Sequence, residues 1–330
     1  MSEAGGERKN EMNEAILGMD IGGTNIRMGL ITEEGKLFNE YRTSSDRIFG
    51  ENAGKKLLEI LRNYYADAVK SFSTEASNKT DLNKIKALCI GFPSTLNRER
   101  TIVLNSPNVP GLNNFPFARI YTEALGIPVW GEKDSCALIY YDMKMNHIPI
   151  DGLSIGIYVG TGLGNIILLN GEPLAGKNGA AGELGHIPLS DREDPCGCGL
   201  TGCLELYAGG QALERIRQKY YPNDPISSLF KMHSGEKPLE KYIETLAKAL
   251  VIEITLLDPD HICLGGGVLN MSDFPKEQLI ERIRKYVRYP YPRNSMDICV
   301  SSQDTPYNGV IGAGLYGWHM YRMAEQQIRR

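Results

Sequence analysis

The chain has 330 residues, 42% of them hydrophobic, which is enough for one large domain or two ordinary ones and excludes global disorder. Its net charge of -4, with no long basic run, argues against a nucleic-acid partner, and no apolar run reaches the ~18 residues of a membrane span. The segment MSEAGGERKNEMNE is polar and lacks the apolar core of a targeting peptide, so residues 1–14 are expected to form a disordered tail and the protein to be cytoplasmic.

Regular structure is expected from Ala15. AILGMDIGGTNIRMGLI reads as a strand, a Gly-rich turn and a second strand. ENAGKKLLEILRNYYADAVKSF is helical, with Ala53, Leu57, Leu61, Tyr65 and Ala68 on one face. A polar linker, STEASNKTDLN, separates it from the buried strand IKALCIGFP. Residues 127–130 (IPVW) form a further strand closed by GEKD, which puts Asp134 in a turn. LSIGIYVGTGLGNIILLNG then repeats the strand, Gly-rich turn and strand of the first half. The helix LEKYIETLAKALVIEITLL, the strand HICL, a GGG turn, the helix FPKEQLIERIRKYV and a closing helix after NGVIGAG complete the chain. Strands alternating with helices indicate an α/β class, and the repeated opening suggests two related lobes with a cleft between them. Cys89, Cys136, Cys263 and Cys299 have apolar neighbours and are expected to be core thiols.

Three groups of residues carry chemistry. The Gly-rich turns join strand to strand, which excludes a Rossmann fingerprint, and the P-loop pattern is absent. Such hairpins are either plain tight turns or cradles that offer backbone N–H groups to phosphate oxygens. The matched pair (Gly22, Gly23, Thr24 and Gly160, Thr161, Gly162), with Gly265, Gly266 and Gly267, favours a nucleotide cradle. Asp20 beside the first turn suits Mg2+ held through water. His186, Cys196, Cys198 and Cys203 supply one nitrogen and three sulfurs, a full tetrahedral shell for structural Zn2+. Glu183 and Glu205 flank that set, free to hold a polar ligand, and the second ring nitrogen of His186 is available to the same ligand. Asp134 suits proton acceptance in phosphoryl transfer, although an isolated turn Asp is ordinarily solvated or a helix cap. Asn108, in SPNVPG, is an amide that can read sugar hydroxyls.

Together, DIGGT, GTGLG, the 265–267 glycines and GELGH followed by CGCGLTGC and LE resemble the ROK family of sugar kinases and repressors. The resemblance runs from Ala15 to the last helix. It implies an actin-like ATPase (ribonuclease H-like) fold, with an N-terminal lobe of residues 15–131 plus 306–330 and a C-terminal lobe of 132–305. It also implies ATP, Mg2+, a hexose phosphorylated on its 6-hydroxyl, and a homodimer. By the same likeness Asp134 is the base, Asn108, Glu183, His186 and Glu205 contact the sugar, and Asp20 with the two hairpins forms the phosphate loops. GFPS, RTIVLNSPNVP and GAAGELGHIPL look like the members acting on D-allose, with glucose and N-acetylmannosamine as alternative acceptors. Glucokinase-like members carry Asn before the catalytic Asp. Here that residue is Lys133, a longer charged donor placed where an epimeric hydroxyl would be read. Ser94 stands where many relatives have Gly. ROK repressors carry an N-terminal helix-turn-helix, for which the residues before the first strand are too few, so an enzyme is expected.

Overall fold

The structure, a computed structural model, describes residues 14–71, 84–189, 192–301 and 305–329. The expected linker, and the expected tail apart from Glu14, lie outside the described residues. The chain begins as an antiparallel meander of β1 (Ala15–Ile21), β2 (Asn25–Ile31) and β3 (Leu37–Ser44). It continues through α1 (Ala53–Ser71), β4 (Ile85–Phe92), the small hairpin of β5 (Thr95–Leu96) and β6 (Val103–Asn105), α2 (Phe117–Leu125) and β7 (Val129–Lys133). β4 and β7 add parallel to β1, giving the order β3-β2-β1-β4-β7.

α3 (Asp134–Met145) leads into a second sheet made from β8 (Leu153–Val159), β9 (Leu163–Leu169) and β10 (Glu172–Pro173). The helices α4 (Glu205–Ala208), α5 (Gly210–Tyr220), α6 (Leu229–Met232) and α7 (Lys237–Leu257) follow. β11 (His261–Gly265), α8 (Lys276–Tyr286) and β12 (Ile298–Val300) complete this sheet, and α9 (Asn308–Ile328) ends the chain. Its order, β10-β9-β8-β11-β12, is that of the first sheet repeated.

Side-chain alternation along the strands stacks these parts in five layers. Leu17, Met19 and Ile21 of β1 pack with Leu57, Leu61 and Phe117 of α1 and α2. The opposite face offers Ile16, Ala87 and Cys89, which meet α3, α9 and, beyond them, Tyr158, Ile166 and Cys263 of the second sheet. Ile155, Ile157 and Leu264 turn outward onto α5, α7 and α8. Small residues make the middle layer possible: a Cβ on Gly312 of α9 would collide with the Ala137 carbonyl of α3. α7 forms because Leu239, Tyr242, Ile243, Leu246, Leu250 and Ile254 recur every three or four residues, and it ends where Asp258 turns left-handed at φ 47°.

Four sequence expectations change. The expected strand 127–130 is β7, running on through Lys133 because residues 131–133 pair with Ile90, Gly91 and Phe92. Asp134 is therefore the first residue of a helix, not of a turn. On α1 the buried aromatic is Tyr64, at 7% exposure, in the i, i+4, i+7, i+11 row from Leu57; Tyr65 is half-buried one step round the helix. Cys89, Cys136 and Cys263 are buried as expected, whereas Cys299, on the outer strand β12, is only half-buried.

Candidate active site

The carboxyl ends of β1, β4 and β7 lie side by side, the position where parallel strands leave a crevice for ligands. Asp20 of β1 is in register with Gly91 of β4, which is in register with Glu132 of β7. Asp134 follows two residues on. Its Oδ1 accepts the Ser135 N–H at 2.7 Å. Burial pushes its pKa up to about 7, the nearby Asp20 and Glu183 carboxylates add to the rise, and the Ser135 N–H and Lys133 oppose it. Burial likewise raises Asp20, against the pull of Arg27, whose Nη1 is 3.5 Å from Oδ2. Asp134 is thus a half-buried carboxyl that feels one carboxylate on the first hairpin and one on the knuckle. A group that titrates near neutrality there suits proton acceptance from a hydroxyl.

The two hairpins differ in detail. Gly22 N–H closes its own hairpin onto Asn25 O at 2.9 Å, and Gly160 N–H turns to Tyr158 O at 3.2 Å, so neither amide is spare as the sequence suggested. Gly23, Thr24 and Thr161 are exposed. A Cβ on Gly160 or Gly267 would meet nothing within 4 Å, so these backbones face open space that a phosphate-bearing ligand can approach. Gly266 is structural: its φ is +99°, and a Cβ there would sit 2.5 Å from Val159 N. The second hairpin is braced by α5, since Gly210 and Gln211 donate to Gly160 O and Thr161 O at 2.8 and 3.0 Å. Asn108, exposed, lies beside Gly23, with its carbonyl 3.6 Å from where a Cβ would be. Ser94 Oγ donates to Ser106 Oγ at 2.7 Å.

The knuckle gathers His186, Cys196, Cys198 and Cys203, whose ligand atoms all lie within 4.8 Å of one another. Cys196 Sγ is 3.7 Å from His186 Nδ1, and Cys198 Sγ is 3.6 Å from Cys203 Sγ. Ligands on tetrahedral zinc stand roughly 3.5–3.8 Å apart, so the four residues fit that ion. His186 sits in a one-turn helix, Leu184–His186, that directs Nδ1 at the thiols and leaves Nε2 3.9 Å from Glu183 Oε2. Glu205 opens α4. One of its oxygens is 3.2 Å from Cys196 Sγ, and the other fills the space where Gly162 would carry a Cβ. Glu205 therefore joins the knuckle to the second hairpin.

Lys133 crosses the same space. It is 8% exposed, and its Nζ donates to Glu183 Oε1 at 2.5 Å and to Ala181 O at 3.2 Å. A buried ammonium on the knuckle carboxylate belongs to the wall of the crevice. The sequence reading missed what lies behind it. Glu132, 3% exposed, takes Arg100 Nε at 2.7 Å, and Glu253, 5% exposed, takes Asn165 Nδ2 at 2.6 Å. Arg100, within RTIVLNSPNVP, and Glu132, within GEKD, were given no role of their own; a lone acid inside the apolar helix LAKALVIEITLL was the one available sign of Glu253.

Comparison with known proteins places the chain as a whole. A model of the ROK family matches residues 16–316. The glucokinase of Thermotoga maritima is 25% identical over 296 residues, covering 82% of this chain and 88% of that protein. The N-acetyl-D-glucosamine kinase of Escherichia coli O157:H7 is 27% identical over 288 residues, covering 82% and 89%. Among solved structures, the ROK hexokinase of Thermus thermophilus superposes with a TM-score of 0.73 at 27% identity, covering 94% of this chain and 99% of that one. The fold is that of the actin-like ATPases.

Proposed function

The chain belongs to the ROK family and is an ATP-dependent sugar kinase, and we propose that it transfers the γ-phosphoryl group to the 6-hydroxyl of a hexose. The observation that carries this reading is Asp134, whose Cα lies 3.5 Å from where a Cβ on Gly91 would be, Gly91 being the register partner of Asp20, and whose carboxyl feels the charges of Asp20 and Glu183. The hexose docks against Glu183, His186, Glu205 and Asn108 with its 6-hydroxyl at Asp134. Asp134 orients that hydroxyl and takes its proton as the new P–O bond forms. Asp20, the 22–24 and 160–162 hairpins and the 265–267 turn hold the nucleotide. Mg2+, when bound, supplies neutralising charge to the phosphate oxygens. Zn2+ on His186, Cys196, Cys198 and Cys203 fixes the knuckle and leaves no open coordination position for chemistry. Lobes of residues 15–131 plus 306–330 and of 132–305 close on the ligands and exclude water.

D-Allose is the acceptor we propose. The support is Lys133: its ammonium lies against Glu183 rather than in solvent, so a charged donor replaces an amide in the wall that meets the sugar. Glucose, N-acetylglucosamine and N-acetylmannosamine are the rival acceptors, the first two favoured by the relatives' own activities. ADP release measured over these four sugars, mannose and fructose decides among them. The highest kcat/KM is expected for D-allose, with a 6-phosphate product by 31P NMR. A rival with the higher kcat/KM would replace D-allose, and ADP release indifferent to every sugar would overturn the kinase reading. Two copies are proposed to form a homodimer, which sedimentation checks.

A further inference from the structure

The loop that carries Glu183 is held at two points, and both holds hang from the strand that presents Asp134. One is Lys133, whose Nζ reaches Ala181 O and Glu183 Oε1. The other begins at Glu132, its immediate neighbour on β7. Glu132 is 3% exposed and divides its carboxylate: Oε1 accepts the Lys133 backbone N–H at 2.9 Å, and Oε2 accepts Arg100 Nε at 2.7 Å. Arg100 in turn donates through Nη1 to Gly179 O at 3.0 Å, four residues before Glu183.

Local structure is arranged to make that reach possible. Arg100 sits at φ 56° in a tight turn between β5 and β6. Asn97 fixes this turn, its Oδ1 accepting both Thr101 and Ile102 N–H at 2.8 Å. Gly179, at φ +78°, lies so close that a Cβ would be 2.5 Å from Leu96 O. The absence of a side chain there lets the 96–100 turn and the 179–183 loop touch backbone to backbone.

We propose that Arg100 and Glu132 form a latch that positions the 179–183 loop, and with it Glu183, relative to Asp134. Both are positioning residues; neither touches a reacting atom. The inference rests on the sugar-kinase reading for its kinetic consequence but not for its structural one. The planar guanidinium spans Glu132 Oε2 and Gly179 O at once, which a lysine ammonium on a single atom does not reproduce.

The test is Arg100→Lys and Glu132→Gln in the full chain, read by amide hydrogen exchange and by kinetics with the preferred sugar. Exchange in 180–186 is expected to rise at least tenfold while α1 and α7 exchange as in the wild type. The sugar KM is expected to rise about tenfold, with the ATP KM unchanged and the melting temperature of Arg100→Lys close to wild type. Wild-type exchange in 180–186 in both variants would overturn the latch, as would sugar and ATP KM rising together with general loosening. A wild-type enzyme that consumed no ATP with any sugar would refute the functional reading instead, and the exchange measurement would still decide the latch.

Discussion

The two hairpins occupy the same place in sheets of the same strand order, and they are not used alike. The first, between β1 and β2, carries Asp20 and leaves Gly23 and Thr24 exposed. At the corresponding place the second carries Tyr158, which is 5% exposed and donates its hydroxyl to Asp142 inside the middle layer at 2.8 Å. The second hairpin is also braced from outside, by the first turn of α5 and by Glu205 against Gly162. One copy of the device bears charge toward the crevice, and the other bears packing. The repeated topology supplies a symmetric frame, and the proposed function divides it, with chemistry at Asp134 beside the first sheet and positioning by the second.

That division predicts effects of different kinds on the two sides. The largest is expected on the first side: Asp134→Asn should lower kcat by a factor on the order of 10^3 or more. On the second side, Gly162→Ala drives a methyl group into Glu205 and should raise the sugar KM by about tenfold or more while kcat falls less. If kcat fell as far as in Asp134→Asn, the second hairpin would be part of the chemistry. Cys203→Ser, or zinc removal by a chelator, should lower the melting temperature and the affinity for sugar together, and elemental analysis should find one zinc per chain in the wild type. Absence of zinc would remove the knuckle from the account. Lys133→Asn should change the allose-to-glucose ratio of kcat/KM by roughly tenfold. An unchanged ratio would leave Lys133 without a role in selection.

The pH dependence separates the two sides further. Asp134 protonates at about 7 in the free protein and must be ionised to act as base. kcat/KM should therefore fall about tenfold per unit as pH drops below 7. Stability runs the other way. A carboxyl whose folded pKa is raised binds its proton more tightly in the native state, so its penalty is absent well below 4 and grows as pH rises toward 7. Asp134→Asn should raise the melting temperature by a few degrees at pH 8 and change it little at pH 3. A variant whose melting temperature differs from wild type by the same amount at both pH values would show that burial does not disfavour the Asp134 charge.

The residues that sequence made legible are those whose chemistry is local. Glycines between two β runs marked both hairpins, and three thiols with an imidazole in a Gly-rich stretch marked the knuckle. Asp134 was legible as a candidate but misplaced, because GEKD looks like a turn until Gly91 and Phe92 arrive to extend the strand. What was not legible depends on distant partners. Lys133 was legible as a candidate sugar donor, but nothing near it announces Glu183, and nothing near Arg100 announces Glu132 or Gly179, because those partners are distant in sequence. Tyr64 and Tyr65 are adjacent, and a small rotation of α1 decides which one is buried.

The most direct measurement of the central claim is made on Asp134→Asn with both ligands present. Calorimetry should give sugar and nonhydrolysable ATP analogue affinities within a few-fold of wild type, while sugar-dependent ADP release falls about 10^3-fold or more. Turnover within a few-fold of wild type, or a loss explained by failure to bind sugar, would contradict the assignment of the chemistry to Asp134 and of positioning to the knuckle.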